Sequence, residues 1–349
     1  MTDIRVNLFS DTQTKPSEAM RRAMAAAEVG DEQQDLDPTV NRLCDMVAEL
    51  LGKPAAVFLP SGTMCNEIAV LAHCRPGEEI IAHKTSHILN FEGGAPAALA
   101  GAQIMPLDGA RGMFTGDAVA AAVRPGDRYS PVSRMVAVEQ TANLGGGAVW
   151  PLADLAAVAE VARANGLVLH MDGARLMNAA VASGEPAAAH AAPFDSVWID
   201  LSKGLGCPVG AVLAGSRDFI DEAWRWKQRI GGAMRQAGIL AAAGVYALEH
   251  NVDRLADDHA NARRFAESIA GIDGVGVAPD TVETNMVFFD VGETGLSAAA
   301  LQDRLAAEGV RMSTMGPTRM RAVTHLDVGR DDVDAAAAAV RRVLDGGGN

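Results

Sequence analysis

The chain has 349 residues and a formal net charge of −14; 49% of its residues are apolar and 4% are aromatic. This negative charge disfavours nucleic acids and anionic membrane surfaces as partners. The four cysteines form no CxxC pair or zinc-ligand spacing, and no segment is long and apolar enough for a signal peptide or a membrane helix. We therefore expect a cytoplasmic globular protein with neither a disulfide scaffold nor a metal site.

The first 52 residues predict two helices separated by an acidic segment. Ser17 and the good helix formers after it predict a helix that reaches Ala26. Residues 31–38, DEQQDLDP, show no periodic pattern and are expected to lack regular structure. From Thr39 apolar residues recur at helical spacing, which predicts a helix that ends at Gly52.

Short apolar runs then alternate with helical stretches. The runs cover 55–60, 78–83, 102–107, 135–140, 167–172, 196–201 and 210–215. This alternation predicts an α/β fold with a mostly parallel, seven-stranded sheet that helices cover on both faces. Ligands bind at the carboxyl ends of the strands in such a sheet, where Ser61, Gln140, Asp172 and Lys203 are expected to lie.

The pattern changes from about Asn251. A charged helix, a strand-like run at 284–291, a second helix and a final strand and helix follow one another without a low-complexity linker. We therefore predict a large domain over 1–250, which includes an N-terminal segment 1–16, and a small C-terminal α+β domain over 251–349.

Two chemically distinctive residues each follow an apolar run: Asp172 in HMDGARLMNA and Lys203 in DLSKGLG. Each alone has an ordinary explanation, because the lysine can lie in a surface turn and the aspartate can pair with Arg175. Together at two strand ends they predict an amine that forms a Schiff base and a carboxylate that keeps a pyridinium nitrogen protonated. The pair indicates pyridoxal 5′-phosphate, bound by the large domain.

Other residues fit this cofactor less specifically. Ser61, Gly62 and Thr63 form a polar turn before a helix, which can bind a phosphate or serve as an ordinary helix cap. Arg235 can add a positive charge or be solvated. His87 can stack on a ring and transfer protons, although most histidines lie at the surface or in a satisfied core position.

Eight segments carry a pattern specific to one family. They are SDTQTKPSEAM, DPTVNRL, LPSGTMCN, HILNFEGG, HMDGARLMNAA, DLSKGLGCPVG, GGAMRQAGILAAAGVYALEHNVDRL and VTHLDV, which span nearly the whole chain. In order and spacing they resemble the low-specificity L-threonine aldolases of the β-eliminating lyase group. The resemblance implies the aspartate-aminotransferase-like fold of fold-type-I pyridoxal phosphate enzymes, and a homotetramer with active sites between subunits.

The resemblance also implies roles for individual residues. Lys203 would form the Schiff base, Asp172 would face the ring nitrogen, and His87 would stack on the ring and act in catalysis. Further cofactor contacts would come from Ser61, Gly62, Thr63, Arg175, Ser202 and Arg235. The substrate carboxylate would be held by Ser10, Arg175 and Arg321.

The chain departs from the family pattern at three places. The family's YGDDP is QDLDP at 34–38, and its RSDT is FSDT with Phe9 in place of arginine. The ENTH segment reads EQTANLGGG from Glu139, so that Ala142 replaces a histidine near the substrate β-hydroxyl. We expect this alanine to enlarge the pocket, admit bulky β-substituents and weaken discrimination between threo and erythro isomers.

The expected reaction is the reversible cleavage of an L-β-hydroxy-α-amino acid, such as threonine, allo-threonine or phenylserine, to glycine and an aldehyde. His87, or a water that it orients, is the expected base for the β-hydroxyl proton. A β-eliminating lyase and a transferase of the hydroxymethyl type are alternatives with the same cofactor. A nicotinamide-binding or non-catalytic α/β protein is the alternative from another class, although no GxGxxG follows the first strand.

Overall fold

The computed structural model describes residues 4–345 of the chain. Within this range twelve strands form three sheets. The strands are β1 Val6–Asn7, β2 Ala55–Leu59, β3 Glu78–His83, β4 Gln103–Leu107, β5 Val132–Glu139, β6 Val168–Gly173, β7 Ser196–Asp200, β8 Ala211–Gly215, β9 Met286–Asp290, β10 Val310–Arg311, β11 Ser313–Thr314 and β12 Arg319–Val323.

The large sheet has seven strands in the order β2-β8-β7-β6-β5-β3-β4. β8 runs antiparallel to both of its neighbours, and all other neighbours pair in parallel. The connection over 201–210 is shorter than a helical crossover requires, so β8 returns beside β7 in the opposite direction. The predicted mostly parallel sheet is confirmed, and β2, β5, β6 and β7 all end at the same edge.

Helices cover both faces of this sheet. In the described part of the chain they are α1 Glu18–Ala25, α2 Pro38–Leu51, α3 Gly62–His73, α4 His87–Asn90, α5 Gly116–Ala122, α6 Leu152–Ala164, α7 Leu176–Ser183, α8 Ala187–Ala191, α9 Arg217–Arg229, α10 Gly238–His250, α11 Leu255–Ile269, α12 Ala298–Ala307 and α13 Arg330–Asp345. Phe58 packs with the cluster that includes α2 and α10, whereas Val57 and Leu59 pack with α3 and α9, as the strand alternation requires. No helix in this range is long and apolar enough to span a membrane.

Local capping explains the first two helices. The Ser17 hydroxyl accepts a hydrogen bond from Met20 N at the start of α1. Asp37 caps α2 in the same way, and Gly52 ends it in the left-handed conformation with φ 62°. Both predicted helices are confirmed to within two residues at each end.

The acidic segment 31–38 is ordered, contrary to the prediction. It contains a short 3-10 turn, and Glu32 and Asp37 are buried. Glu32 Oε2 accepts a hydrogen bond from Lys227 Nζ at 2.8 Å, so a partner almost 200 positions away fixes the segment. Asp35 has φ 56°, which explains how an aspartate replaces the family's glycine, because aspartate tolerates the left-handed region better than most residues.

The C-terminal part of the chain has an apolar core of its own. Its sheet has the antiparallel order β11-β12-β9, and α11, α12 and α13 contribute to the same core. The prediction grouped the N-terminal segment with the large domain, but β1 pairs with β10 and Leu8 is buried in the C-terminal core. A two-residue strand is too short to show its partner in the sequence. The domain boundary near residue 250 stays a prediction.

Candidate active site

Chemically active side chains meet where three neighbouring strands end. Glu139 is the last residue of β5 and is the register partner of Asp172 on β6. Lys203 lies in the connection that follows β7. Asn66 on α3 closes the group, since its Nδ2 donates to Asp172 Oδ2 at 2.9 Å. The parallel sheet therefore brings Asp172 and Lys203 to one edge, as their positions in the sequence predict.

The Asp172 carboxylate is buried and held by neutral donors. Besides the bond from Asn66, its Oδ1 accepts a hydrogen bond from Ala174 N at 3.1 Å. Burial raises the pKa of Asp172, while the positive charges of His87 and Lys203 oppose that rise. The ion pair with Arg175 considered from the sequence does not form, because Arg175 binds another carboxylate. Asp172 can therefore bind a ligand cation such as a pyridinium.

His87 is oriented by two glutamates. Its Nδ1 donates to Glu92 Oε1 at 2.8 Å, and its backbone N–H donates to Glu139 Oε2 at 2.7 Å. Glu92 also accepts from Asn66 Nδ2 at 2.7 Å, so one amide links the partners of His87 and Asp172. Burial lowers the pKa of His87, but the hydrogen bond to Glu92 and the charge of Asp172 outweigh burial and raise it.

Three of these side chains are of the types that bind metal ions. His87, Glu92 and Asp172 each offer a ligand atom within 4.8 Å of the others. Hydrogen bonds from Asn66 and His87 already engage the two carboxylates. These hydrogen bonds link the three side chains into one unit of the site.

Lys203 Nζ lies 2.9 Å from Asp200 Oδ2, and its side chain is 16% exposed. The amine also lies 5.8 Å from the centre of the Trp198 ring. Asp200 Oδ1 accepts hydrogen bonds from both the backbone N–H and the hydroxyl of Ser202 at 2.8 Å. Lys203 is thus held at the edge of the cavity, and Ser202 is directed toward Asp200.

Glu139 is a site residue that the sequence reasoning did not single out. It is half-buried and lines the site cavity, and its Oε1 accepts a hydrogen bond from Asn143 N at 2.7 Å. Burial and the nearby charge of Asp172 raise the pKa of Glu139 to about 7. Its position at the end of an apolar strand was the available signal, but the prediction chose Gln140. The Gln140 side chain instead accepts a hydrogen bond from Trp150 N inside the core.

Arg175 and Asp11 form a buried, bidentate ion pair. Arg175 Nε and Nη2 donate to the two Asp11 oxygens at 2.7 and 2.6 Å. Burial alone would raise the pKa of Asp11, but the charge and hydrogen bonds of Arg175 hold it well below its ordinary range. Ser10, which precedes this aspartate, accepts a hydrogen bond from Thr12 Oγ1 at 2.8 Å. The pair fixes Arg175 and leaves its Nη1 without a partner among residues 4–345.

Arg321 differs from Arg175 because its contacts are all neutral. It donates to Asn143 Oδ1 at 3.1 Å, to Ser313 Oγ at 3.2 Å and to the Phe9 carbonyl at 3.4 Å. Burial and the charge of Arg175 lower the pKa of Arg321 to about 10. Within the described chain this guanidinium has no carboxylate partner, so it is available to an anionic ligand.

One cavity of about 410 Å³ connects these groups. Its lining consists of Ser10, Thr12, His87, Phe91, Glu139, Thr141, Asn143, Leu144, Asp172, Ala174, Arg175, Lys203, Thr314, Met315 and Arg321. Both parts of the chain therefore contribute to it. The cavity combines the Lys203 amine, a buried carboxylate, an imidazole and two guanidinium groups.

Five of the predicted contacts lie outside that lining. Ser61 caps α3 by accepting a hydrogen bond from Met64 N, and Gly62 packs against the Trp198 ring. These residues and Thr63 form the start of α3, one helical turn or roughly 6 Å before Asn66. Ser202 faces Asp200, as described above. The fifth, Arg235, is exposed and forms an ion pair with Asp31 at 2.8 Å.

Ala142 does not line the cavity, which corrects the expectation built on it. Its side chain is buried and faces Gly112 and Gly145, since a Cβ added to either glycine would lie 2.7 or 3.0 Å from the Ala142 methyl. Thr141 and Asn143 face the cavity instead. Ala142 is held by an isolated antiparallel bridge to Ala148, so its methyl group packs inside this loop and not into the cavity.

Known proteins resemble this chain over nearly its whole length. The family described as "Beta-eliminating lyase" matches residues 7–292. The chain is 45% identical over 342 residues to the low specificity L-threonine aldolase of Escherichia coli K12, covering 97% of this chain and 99% of that one. It is 39% identical over 344 residues to low-specificity L-threonine aldolase 1 of Arabidopsis thaliana, covering 97% and 96%.

The chain belongs to the β-eliminating lyase family. The resemblance inferred from the motifs is therefore confirmed. A solved structure of Leishmania major threonine aldolase superposes on this family member with a TM-score of 0.84, at 21% identity and with 97% and 99% of the two chains covered. The fold class is confirmed as well, and this family member is a carbon–carbon lyase.

This family depends on pyridoxal 5′-phosphate, which confirms the predicted cofactor. The described residues of the site are suited to hold this cofactor. Asp172 is a buried carboxylate without an ion-pair partner among residues 4–345, which suits a protonated ring nitrogen. The first N–H groups of α3 have no intrahelical partner and suit a phosphate, and Lys203 supplies the amine. The site residues themselves stay a prediction for experiment.

Proposed function

We propose that the protein is a pyridoxal-phosphate-dependent aldolase that cleaves L-β-hydroxy-α-amino acids to glycine and an aldehyde, reversibly. The observation that carries the proposal is Arg321, a cation without a carboxylate partner in the described chain, in the cavity that holds Lys203 and Asp172. An α-amino acid offers the matching carboxylate beside an amine that can react. Relatives named low specificity L-threonine aldolase indicate which bond is broken.

The cofactor, when bound, accepts the electron pair released at the substrate Cα. Lys203 is placed to hold it covalently, as expected of a Schiff-base lysine, and to receive the proton that the substrate amine gives up. Asp172 would keep the ring nitrogen protonated, because a buried carboxylate is best stabilised by a bound cation. His87 lines the cavity and is fixed by Glu92, and its flat side chain would stack on the cofactor ring.

Arg321 orients the substrate by its carboxylate. Arg175 assists through Nη1, while its other nitrogens stay with Asp11. Ser10 lines the same wall of the cavity. The two guanidinium groups of the cavity would fix the carboxylate, and so orient the bonds of the substrate Cα.

His87 is the proposed base for the β-hydroxyl proton, directly or through one water. Its Nδ1 is engaged by Glu92, so Nε2 is the nitrogen left to accept a proton. Because the pKa of His87 is raised, the neutral imidazole is scarce at low pH. General-base catalysis contributes roughly 10²–10⁴-fold, so His87→Ala should lower kcat by about a hundredfold or more.

We also propose a cytoplasmic homotetramer with active sites at subunit interfaces. Arg235 lies outside the cavity of its own chain and is 61% exposed, so a role at a phosphate would require a neighbouring subunit. Val29, Leu36 and Ile239 near it expose 42%, 68% and 47% of their surface, which favours a covered face. Sedimentation velocity should give a tetramer; a monomer that is fully active would contradict this assembly.

The function is tested by incubating the purified, cofactor-loaded protein with threonine, allo-threonine and phenylserine. We expect glycine and the matching aldehyde in equal amounts, and no product from the Lys203→Ala variant. Ammonia and a keto acid would instead identify a β-eliminating lyase. Glycine formed only in the presence of a one-carbon acceptor would identify a transferase.

A further inference from the structure

A second buried glutamate, Glu67, lies behind the His87–Glu92 pair. Glu67 on α3 is 2% exposed, and the Glu92 side chain is fully buried. Three of their four oxygens, both of Glu67 and Oε2 of Glu92, have no hydrogen-bond partner among the described residues. Buried polar atoms are nearly always paired, so three unpaired oxygens at one place require an explanation.

A single proton accounts for two of the three atoms, one Glu67 oxygen and Glu92 Oε2, and leaves the third as the uncharged carbonyl oxygen of a neutral acid. Two ionised carboxylates in contact inside a protein repel each other, and sharing one proton removes the repulsion. Glu92 is the acceptor of the two, because its other oxygen already accepts hydrogen bonds from His87 and Asn66. Glu67 receives no hydrogen bond from the described chain, so the proton resides on Glu67, which then donates to Glu92 Oε2.

The elements around Glu67 offer no cation to hold it ionised. The segment Pro96–Ala100, which packs on α3, has the sequence PAALA and carries no charge. On α9 the nearest buried cation, Lys227, is paired with Glu32. β6 contributes Asp172 and the neutral His170, whose Nε2 contacts Asn66; β7 contributes Asp200, which is paired with Lys203. Burial, the hydrogen bond to Glu92 and its charge raise the pKa of Glu67 to about 9.

We propose that Glu67 is a positioning residue of the active site: a neutral carboxylic acid that donates to Glu92 and thereby keeps Glu92 the acceptor for both His87 and Asn66. The proposal rests on the proposed function for its catalytic meaning. Through Glu92 it controls the proton on His87, and through Asn66 it supports the orientation of Asp172. Without the donor, the buried Glu92 takes the proton of His87, and the imidazole becomes neutral and less firmly held.

The decisive comparison is between Glu67→Leu, which removes the donor at similar volume, and Glu67→Gln, which keeps a donor that cannot ionise. The titration of the His87 imidazole is followed by NMR in the cofactor-free protein, where it does not depend on any activity. We expect Glu67→Leu to titrate at least half a pH unit below the wild type, and Glu67→Gln to stay close to it. A wild-type titration in Glu67→Leu would overturn the proposal.

The pH profile provides the second readout. Glu67 is neutral below its raised pKa and ionises above it, so wild-type kcat should fall above about pH 9, where the donor is lost and a second negative charge faces Glu92. Glu67→Gln should lack this alkaline fall, and Glu67→Leu should lose about tenfold in kcat at its optimum. If Glu67→Leu does not fold, an unchanged alkaline limb in Glu67→Gln still refutes the proposal. A wild-type protein that cleaves no β-hydroxy amino acid would refute the proposed function while leaving the NMR result intact.

Discussion

Replacing Asp11 by asparagine tests how strongly the buried pair with Arg175 stabilises the site. Both Asp11 and Arg175 are almost fully buried, and two hydrogen bonds of 2.7 and 2.6 Å join them. Asparagine keeps the shape but leaves the guanidinium without a counter-charge, and removing one partner of a buried pair costs about 3–5 kcal/mol. Because one acceptor oxygen remains, we expect a loss near the lower end, about 3 kcal/mol, in the free energy of unfolding.

Urea unfolding at fixed protein and cofactor concentration measures this loss. The pKa of Asp11 lies below its ordinary value of 3.8, so the pair stabilises fully above that pH. The difference between wild type and variant should be constant at neutral pH and shrink as the pH falls through the lowered pKa. The matched control is Asp334→Asn, because Arg264 binds Asp334 in the same bidentate way at 2.6 and 2.7 Å but at the surface. Equal losses in the two variants would refute the argument from burial.

Three further predictions concern the site. Arg321→Gln should raise KM by about 30-fold, since hydrogen bonds to charged groups contribute roughly 1.5–3 kcal/mol. Arg319→Gln on the same strand should leave KM unchanged, because that side chain stacks on a phenylalanine away from the cavity. Gly62→Ala should lower the free energy of unfolding by about 1–3 kcal/mol, because its Cβ would lie 2.2 Å from an indole ring. Gly271→Ala should be nearly neutral, because a Cβ there meets open space, and similar losses in the two variants would contradict the prediction. Finally, kcat/KM should rise with pH through a value above the ordinary 6.5 of histidine, and His87→Gln should flatten that limb.

Local sequence patterns predicted much of the fold. Apolar runs and helical spacing placed the seven strands of the large sheet to within three residues of their observed ends, because both signals depend on neighbours in the chain. The position of Lys203 and Asp172 after two such runs was also sufficient to indicate the cofactor. The acidic segment 31–38 was the main error, since its order depends on Lys227 and not on its own periodicity.

The site, too, was predicted only in part from local sequence patterns. The motifs indicated His87, Arg175 and Arg321, but a motif does not specify which partners a side chain finds. Asp11, and not Asp172, neutralises Arg175 because the short strand β1 runs beside β10 and brings the N-terminal segment to the cavity. Ala142 packs against Gly112 and Gly145 and not into the cavity, which the one-dimensional alignment of a motif cannot reveal.

The sequence by itself determined the elements, the strand ends that hold the reactive amine and carboxylate, and hence the class of cofactor. Only the tertiary structure decided the partners of these side chains: Glu92 for His87, Asp11 for Arg175, and the proposed partner Glu67 for Glu92. The physical reason is that propensity and periodicity act between residues close in the chain. Burial, charge pairing and shared protons act between residues that only folding brings into contact.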